Sequence, residues 1–135
     1  MAKAFAFIAN NSAQTLTSGA TVAPGTAQHG FGCSGCGYTV QVSGSNINLR
    51  STGYYNIEVG ATVTDSAASN VTLALYQDGN LIAQGSEAIA TASDPASIAF
   101  PAGVKVNCSS VLTLVVTTSA GNPSVNNIYT TITKA

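Results

Sequence analysis

Between residues 55 and 63 apolar and polar side chains alternate without a break. Tyr55, Ile57, Val59, Ala61 and Val63 fall on one side of an extended chain, and Asn56, Glu58, Gly60 and Thr62 on the other. A helix would not sort them so, and the pattern predicts a strand with one buried face. Val71, Leu73 and Leu75 alternate in the same way with Thr72, Ala74 and Tyr76. Gln77-Asp78-Gly79-Asn80 then supplies the turn chemistry that folds the chain back into Leu81 and Ile82. Further strands are predicted at 4–8, 38–42, 46–50, 97–100, 103–107, 111–118 and 125–133, between breaks rich in Gly, Pro, Asn or Ser. In the last of them Ile128, Thr130 and Ile132 oppose Asn127, Tyr129 and Thr131.

The expected core is Tyr55, Ile57, Val59, Val63, Leu73, Leu75, Leu114, Ile128 and Ile132. Leu114 lies in a run that is apolar on both sides, as in a strand covered on two faces. Two segments give no clear period. Residues 84–93 read as an irregular strand or loop, and 9–37, rich in Gly, Ser, Thr and Ala, read as a strand-poor arm packed over the rest. Many short strands separated by turn signals imply an all-β sandwich or barrel, in one domain spanning 1–135.

Composition narrows the function. Hydrophobic residues make up 45% of the chain but charged ones only 7%, against roughly a quarter in an average soluble domain. Neutral small residues must cover the surface, which suits a protein that hides part of itself in an assembly. Lys3, Arg50, Lys105 and Lys134 are scattered, so the basic run of a nucleic-acid binder is missing and no nucleic-acid partner is expected. The apolar stretch near the start is too short for a signal-peptide core or a membrane span. Synthesis is therefore expected to end in the cytoplasm, with no membrane insertion and with release, if any, in a particle.

The segment from Asn46 through Gly53, Tyr54, Tyr55 and Ile57 to Val59 resembles the central signature of the tumour-necrosis-factor/complement-type jelly roll. There a short strand leads to Gly-x-Tyr and an alternating strand. The downstream order is similar too: the Val-x-Leu-x-Leu strand at 71–75, the polar hairpin, Phe100 to Val106, and a closing strand through Tyr129 to Lys134. The resemblance covers about residues 38–134 and rests on short motifs. It implies an antiparallel two-sheet jelly-roll sandwich of ten strands, assembled as a homotrimer, whose work is display, attachment or ligand binding. Isolated short members without a leader resemble bacteriophage or prophage virion components (head fibres, decorations, attachment tips) and the heads of spore-surface glycoproteins. The latter normally carry a collagen-like stalk, absent here, so a virion protein is expected, with other virion proteins or a host surface glycan or receptor as partners. The alternative is a secreted or surface-displayed bacterial carbohydrate- or receptor-binding module.

Candidate chemistry is sparse. Cys33 and Cys36 are separated by two residues, and with His29 and Cys108 they could complete a Cys₃His zinc site. A firm zinc signal needs two paired ligand clusters, so free thiols or a disulfide explain the motif more simply. No metal or cofactor is expected. His29 is the only histidine, and Glu58, Asp65, Asp78, Glu87 and Asp94 are far apart in sequence, so no catalytic set is expected and the protein reads as a non-enzyme. Asn10, Asn70 and Asn107 open glycosylation-type triplets, which a chain this rich in Asn, Ser and Thr yields by chance.

The aromatics carry more. Tyr54 and Tyr129 lie on the faces opposite Tyr55/Ile57 and Ile128/Ile132, so they point away from the core. In the resembled fold the first, last and Gly-x-Tyr strands share the sheet whose outer face meets the trimer axis. Tyr54, Tyr129, Phe5 and Phe7 are the expected trimer interface, although Ala4, Ala6 and Ile8 leave the inward side of the first strand open.

Overall fold

The structure, a computed structural model, describes residues 5–30 and 40–135. Its described strands are β1 (Phe5–Asn10), β2 (Gln14–Thr15), β3 (Ala20–Thr21), β4 (Thr26–Gly30), β5 (Val40–Ser43), β6 (Asn46–Leu49), β7 (Gly53–Asp65), β8 (Ser69–Gln77), β9 (Asn80–Ile89), β10 (Ala96–Val106), β11 (Ser110–Thr118) and β12 (Pro123–Lys134). One sheet runs β10-β7-β12-β1-β4, and the other runs β5-β6-β11-β8-β9. The pairings are antiparallel, and β2 and β3 are short additions to β12 and β11. Ten strands thus carry the two sheets, in the architecture of a jelly roll.

Alternation explains why β7 is the spine of its sheet. Tyr55, Ile57, Val59, Ala61 and Val63 all point inward and are buried, while Tyr54, Asn56 and Glu58 face out. All nine expected core residues are buried, and Ile8, Leu49, Val106 and Leu112 join them. Leu114 faces in with Leu112 and Val116, while Val111 and Val115 on its other face are half-buried. Ala6 and Ile8 are buried too, which settles the first strand: Phe5 and Phe7 point outward.

Glycine matters at the start of β7. Gly53 has φ of 152°, and a Cβ there would lie 2.7 Å from Lys134 Cε. The buried Tyr55 ring next to it hooks its hydroxyl onto the Ser51 carbonyl at 2.8 Å, pinning the turn that enters the strand. The Asp78-Gly79 turn is equally direct, with φ of 50° and 86° at its two central residues, as a two-residue hairpin of the type I′ kind requires.

Three expectations are corrected. The strands predicted at 97–100 and 103–107 are one continuous strand, β10, which runs through Pro101 and ends at Val106. A proline is tolerated because β10 is the edge of its sheet, where half the amides have no strand to donate to. Most of 84–93 is regular strand, since β9 continues to Ile89. Its inward positions include Ala83 and Gly85, and a Cβ at Gly85 would come within 2.9 Å of Ile98 and 3.1 Å of Phe100, so close packing on β10 forbids the large side chains that would have marked a period. The described part of the arm is not strand-poor, because β4 is a full member of the first sheet and β2 and β3 add pairs to both. Its fold is fixed by the Gln14 carboxamide, which accepts from Ala23 N and donates to Ala23 O at 2.9 Å each, in place of an apolar pattern. Residues 31–37 of the arm and 38–39 of the next predicted strand lie outside the described residues.

Candidate functional site

The outer face of the β10-β7-β12-β1 layer is the one to which sequence reasoning pointed. Tyr129 on β12 is paired in register with Gly60 on one side and Ala9 on the other, and Phe7 is paired with Thr131. Phe7 and Tyr129 are therefore diagonal neighbours, and their rings stack with centroids 6.4 Å apart and planes 26° apart. Gly60 completes the arrangement. A Cβ there would sit 2.3 Å from Tyr129 Cε1, so the ring lies across bare backbone and fills the space a side chain would take. Tyr129 remains 40% exposed and Phe5, two residues before Phe7 on the same face, 37% exposed.

Around these rings the face is small and neutral. Its outward positions include Ala9, Asn56, Gly60, Thr62, Ala99, Pro101, Gly103, Thr131 and Thr133, and among the described residues its only charges are Glu58 and Lys105. An open groove of about 350 Å³ runs beside the stacked pair, lined by Phe7, Ala9, Asn11, Asn127, Ile128 and Tyr129.

The four residues expected at a trimer contact are spread along the outer face, Phe5 standing level with Asn56, two residues from Tyr54. Phe5, Phe7 and Tyr129 lie together, but Tyr54 stands six residues along β7 from the position that pairs with Tyr129, roughly 20 Å away at strand rise. Tyr54 is 61% exposed, with the Lys105 ammonium 5.8 Å from its ring centroid. Sequence reasoning missed Gly60, for which the signal was a glycine within a strand otherwise rich in β-branched residues.

Of the four zinc candidates, His29 and Cys108 fall among the described residues. His29 falls in β4, opposite Phe7 in register, and Cys108 is exposed in the turn between β10 and β11. Cys33 and Cys36 lie outside the described residues. Among the described residues no three His, Cys, Asp or Glu side chains cluster as metal ligands would.

One acid that sequence reasoning passed over organises the opposite end of the molecule. Asp65, at the end of β7, is only 2% exposed. Its carboxylate accepts hydrogen bonds from Ala67 N at 3.0 Å, Ser69 Oγ at 2.9 Å and Thr118 Oγ1 at 2.5 Å, and its carbonyl accepts from Ser93 N at 2.8 Å. Burial pushes the carboxyl's pKa up, but the hydrogen bonds from Thr118, Ala67, Ser69 and Ser66 outweigh it and hold the group below the ordinary aspartate value. The turns 66–68, 90–95 and 119–122 are thereby tied to one residue. An aspartate followed by small hydroxyl residues was the available sign.

With this geometry in place, the fold has a class: it is a TNF-like jelly roll. Among solved structures the chain is similar to an Eiger TNF from S. frugiperda, with TM-score 0.72 and 13% identity over 100% of this chain and 94% of that one. It is similar also to murine APRIL at pH 5.0, with TM-score 0.73 and 6% identity over 99% and 100% of the two chains, and at pH 8.5, with TM-score 0.72 and 10% identity. No protein-family model matches the chain, and no curated protein matches its sequence.

Proposed function

We propose that the protein is a non-enzymatic assembly module, a homotrimer whose subunits meet through the outer face of the β1-β12-β7 layer, serving as a decoration, fibre or attachment component of a bacteriophage or prophage particle. The observation that carries the assembly is the stacked Phe7–Tyr129 pair, left open on a sheet face of small neutral residues. Such a face loses little by desolvation and gains from buried ring area when a second copy covers it. A closed ring of three leaves no copy of the face open. Phe5 extends the strip and Tyr54 lies at its margin. The virion assignment is supported by the charge-poor composition and by the family resemblance read from the sequence. The alternative, a carbohydrate-binding module, has one observation in its favour: the groove beside the rings carries Asn11 and Asn127, whose carboxamides suit sugar hydroxyls.

Mass measurement in solution tests the assembly. The wild type should have three times the chain's 13.5 kDa. A double variant Phe7→Asp, Tyr129→Asp should be a folded monomer, because six carboxylates would be forced into each trimer's contact. Gly60→Val should weaken the trimer without adding charge, by lifting the Tyr129 ring off β7. A wild-type monomer at micromolar concentration, or a double variant that stays trimeric, overturns the reading.

A further inference from the structure

The described cations are not scattered in space. Arg50 lies in the turn between β6 and β7, Lys105 near the end of β10 and Lys134 at the end of β12, and the register sets Lys105 opposite Tyr54 and Lys134 opposite Tyr55. All three therefore sit at the end of the sandwich where β7 begins. None of them is in an ion pair among the described residues. Arg50 Nη1 donates to Gln41 Oε1 at 3.2 Å, Lys134 Nζ donates to Ser51 Oγ at 2.8 Å, and Lys105 lies by the Tyr54 ring. Asp65, Glu87 and Asp94 belong to the other half, Glu58 is midway along β7, and Asp78 is the one acid at the cationic end, its Oδ1 accepting from Val111 N at 2.9 Å.

Exposed apolar side chains gather at the same end. Tyr54 is there, and Leu81 and Ile82, 49% and 37% exposed, follow directly on the β8–β9 turn. That turn is fixed to the cationic strand by Gln77 Nε2, which donates to Lys105 O at 2.8 Å. The β8–β9 pairing shifts register between Leu75 and Tyr76, which leaves Ile82 unpaired and turns two consecutive aliphatic residues outward.

From this juxtaposition we infer that the β7-entry end, through Arg50, Lys105, Lys134, Tyr54, Leu81 and Ile82, docks peripherally on an anionic lipid surface. The two components favour lipid over the other polyanions. Three cations at this end of the chain are few for a nucleic acid, whose binding rests on many phosphate contacts. A sugar polymer offers no apolar phase for Leu81 and Ile82. A bilayer interface takes both, with aliphatic and aromatic side chains entering the headgroup boundary and cations drawn to anionic headgroups. The inference does not need the trimer but is strengthened by it, since a cyclic assembly points all three ends the same way and makes a weak single contact multivalent.

Vesicle sedimentation of the intact protein tests the inference, with vesicles of phosphatidylcholine alone and of equal parts phosphatidylcholine and phosphatidylglycerol. Binding is expected to the second and not the first, and to fall with added salt. Arg50→Gln with Lys105→Gln should weaken it roughly tenfold or more, and Leu81→Ser with Ile82→Ser should weaken it independently. Glu87→Gln with Asp94→Asn, at the other end, should leave it unchanged. Absence of binding to anionic vesicles at low salt overturns the inference, as does binding indifferent to both variant pairs or equal binding to both vesicle types. Solution mass is recorded for every sample. A monomer that still binds refutes the trimer alone, and a trimer that does not bind refutes the lipid site alone.

Discussion

The two ends of the sandwich are made from the same kinds of turn and put them to opposite use. At the Asp65 end three turns converge on one buried residue, two of them through its carboxylate and the third through its carbonyl. At the β7-entry end the cations have no carboxylate partners among the described residues, and Tyr54, Leu81 and Ile82 are exposed. The first end is finished within the chain. The second offers charge and apolar surface to something else. A charge-poor protein shows this division clearly, because so few ionisable groups are present that the position of each one matters.

The largest effect should come from removing the carboxylate. Asp65→Ala leaves Ala67 N and Ser69 Oγ without their acceptor, leaves Thr118 Oγ1 only the Ala120 carbonyl, and is expected to cost about 2–4 kcal/mol. Denaturant melts measure the loss, and hydrogen exchange should place the loosening in 66–68 and 119–122, while 90–95, held by the Asp65 carbonyl, stays protected. The sign of the pH response follows from the depressed pKa. The stabilisation is complete above the unfolded aspartate value and is lost as pH falls through the lower folded one, that is, below about pH 4. Asp65→Asn should flatten this acid limb. An unchanged limb would mean that the carboxylate is not what ties the turns.

A matched glycine pair sharpens the same contrast. Gly121 and Gly79 both have positive φ, 72° and 86°, so alanine at either meets a backbone cost of about 1–2 kcal/mol. At Gly79 a Cβ has nothing within 4 Å, whereas at Gly121 it would lie 2.3 Å from Asp65 Oδ1 and 2.7 Å from Ser66 Oγ. Gly121→Ala should therefore be the more destabilising by about 1–3 kcal/mol, as thermal melts of the two variants would show. Equal losses would place the whole cost in the backbone and none in the clamp.

What the sequence disclosed divides along physical lines. Segments folded by apolar burial were legible: the β7 alternation, the Asp78-Gly79 hairpin and the inward Ile128 and Ile132 follow from period and turn chemistry alone. Segments held by other means were not. The arm is fixed by the Gln14 carboxamide and by Gly25, whose absent Cβ would strike the Ala9 carbonyl at 2.0 Å, and neither leaves a periodic trace. β9 lost its period to close packing at Gly85, and β10 was divided by a proline that only its edge position explains. For the candidate site, alternation gave the outward direction of Tyr129 and Tyr54 but not their separation, because distance along a sheet depends on register between strands far apart in sequence.

The smallest expected effect is the one that best isolates the β7-entry end. Arg50→Gln, Lys105→Gln and Leu81→Ser each alter an exposed side chain, and the polar contacts of Arg50 and Lys105 are solvent-facing. Each should change the unfolding free energy by less than about 0.5 kcal/mol. Leu81→Ser could even raise solubility, since it removes a half-exposed aliphatic group beside Ile82. The same three changes lie at the centre of the proposed lipid contact, so stability and vesicle binding should separate: near-zero change in the first, a large loss in the second. If melts instead show losses comparable with those of Asp65→Ala, then Arg50, Lys105 and Leu81 are structural after all. The β7-entry end would then be closed by its own contacts, as the Asp65 end is, and the contrast between the two would fail.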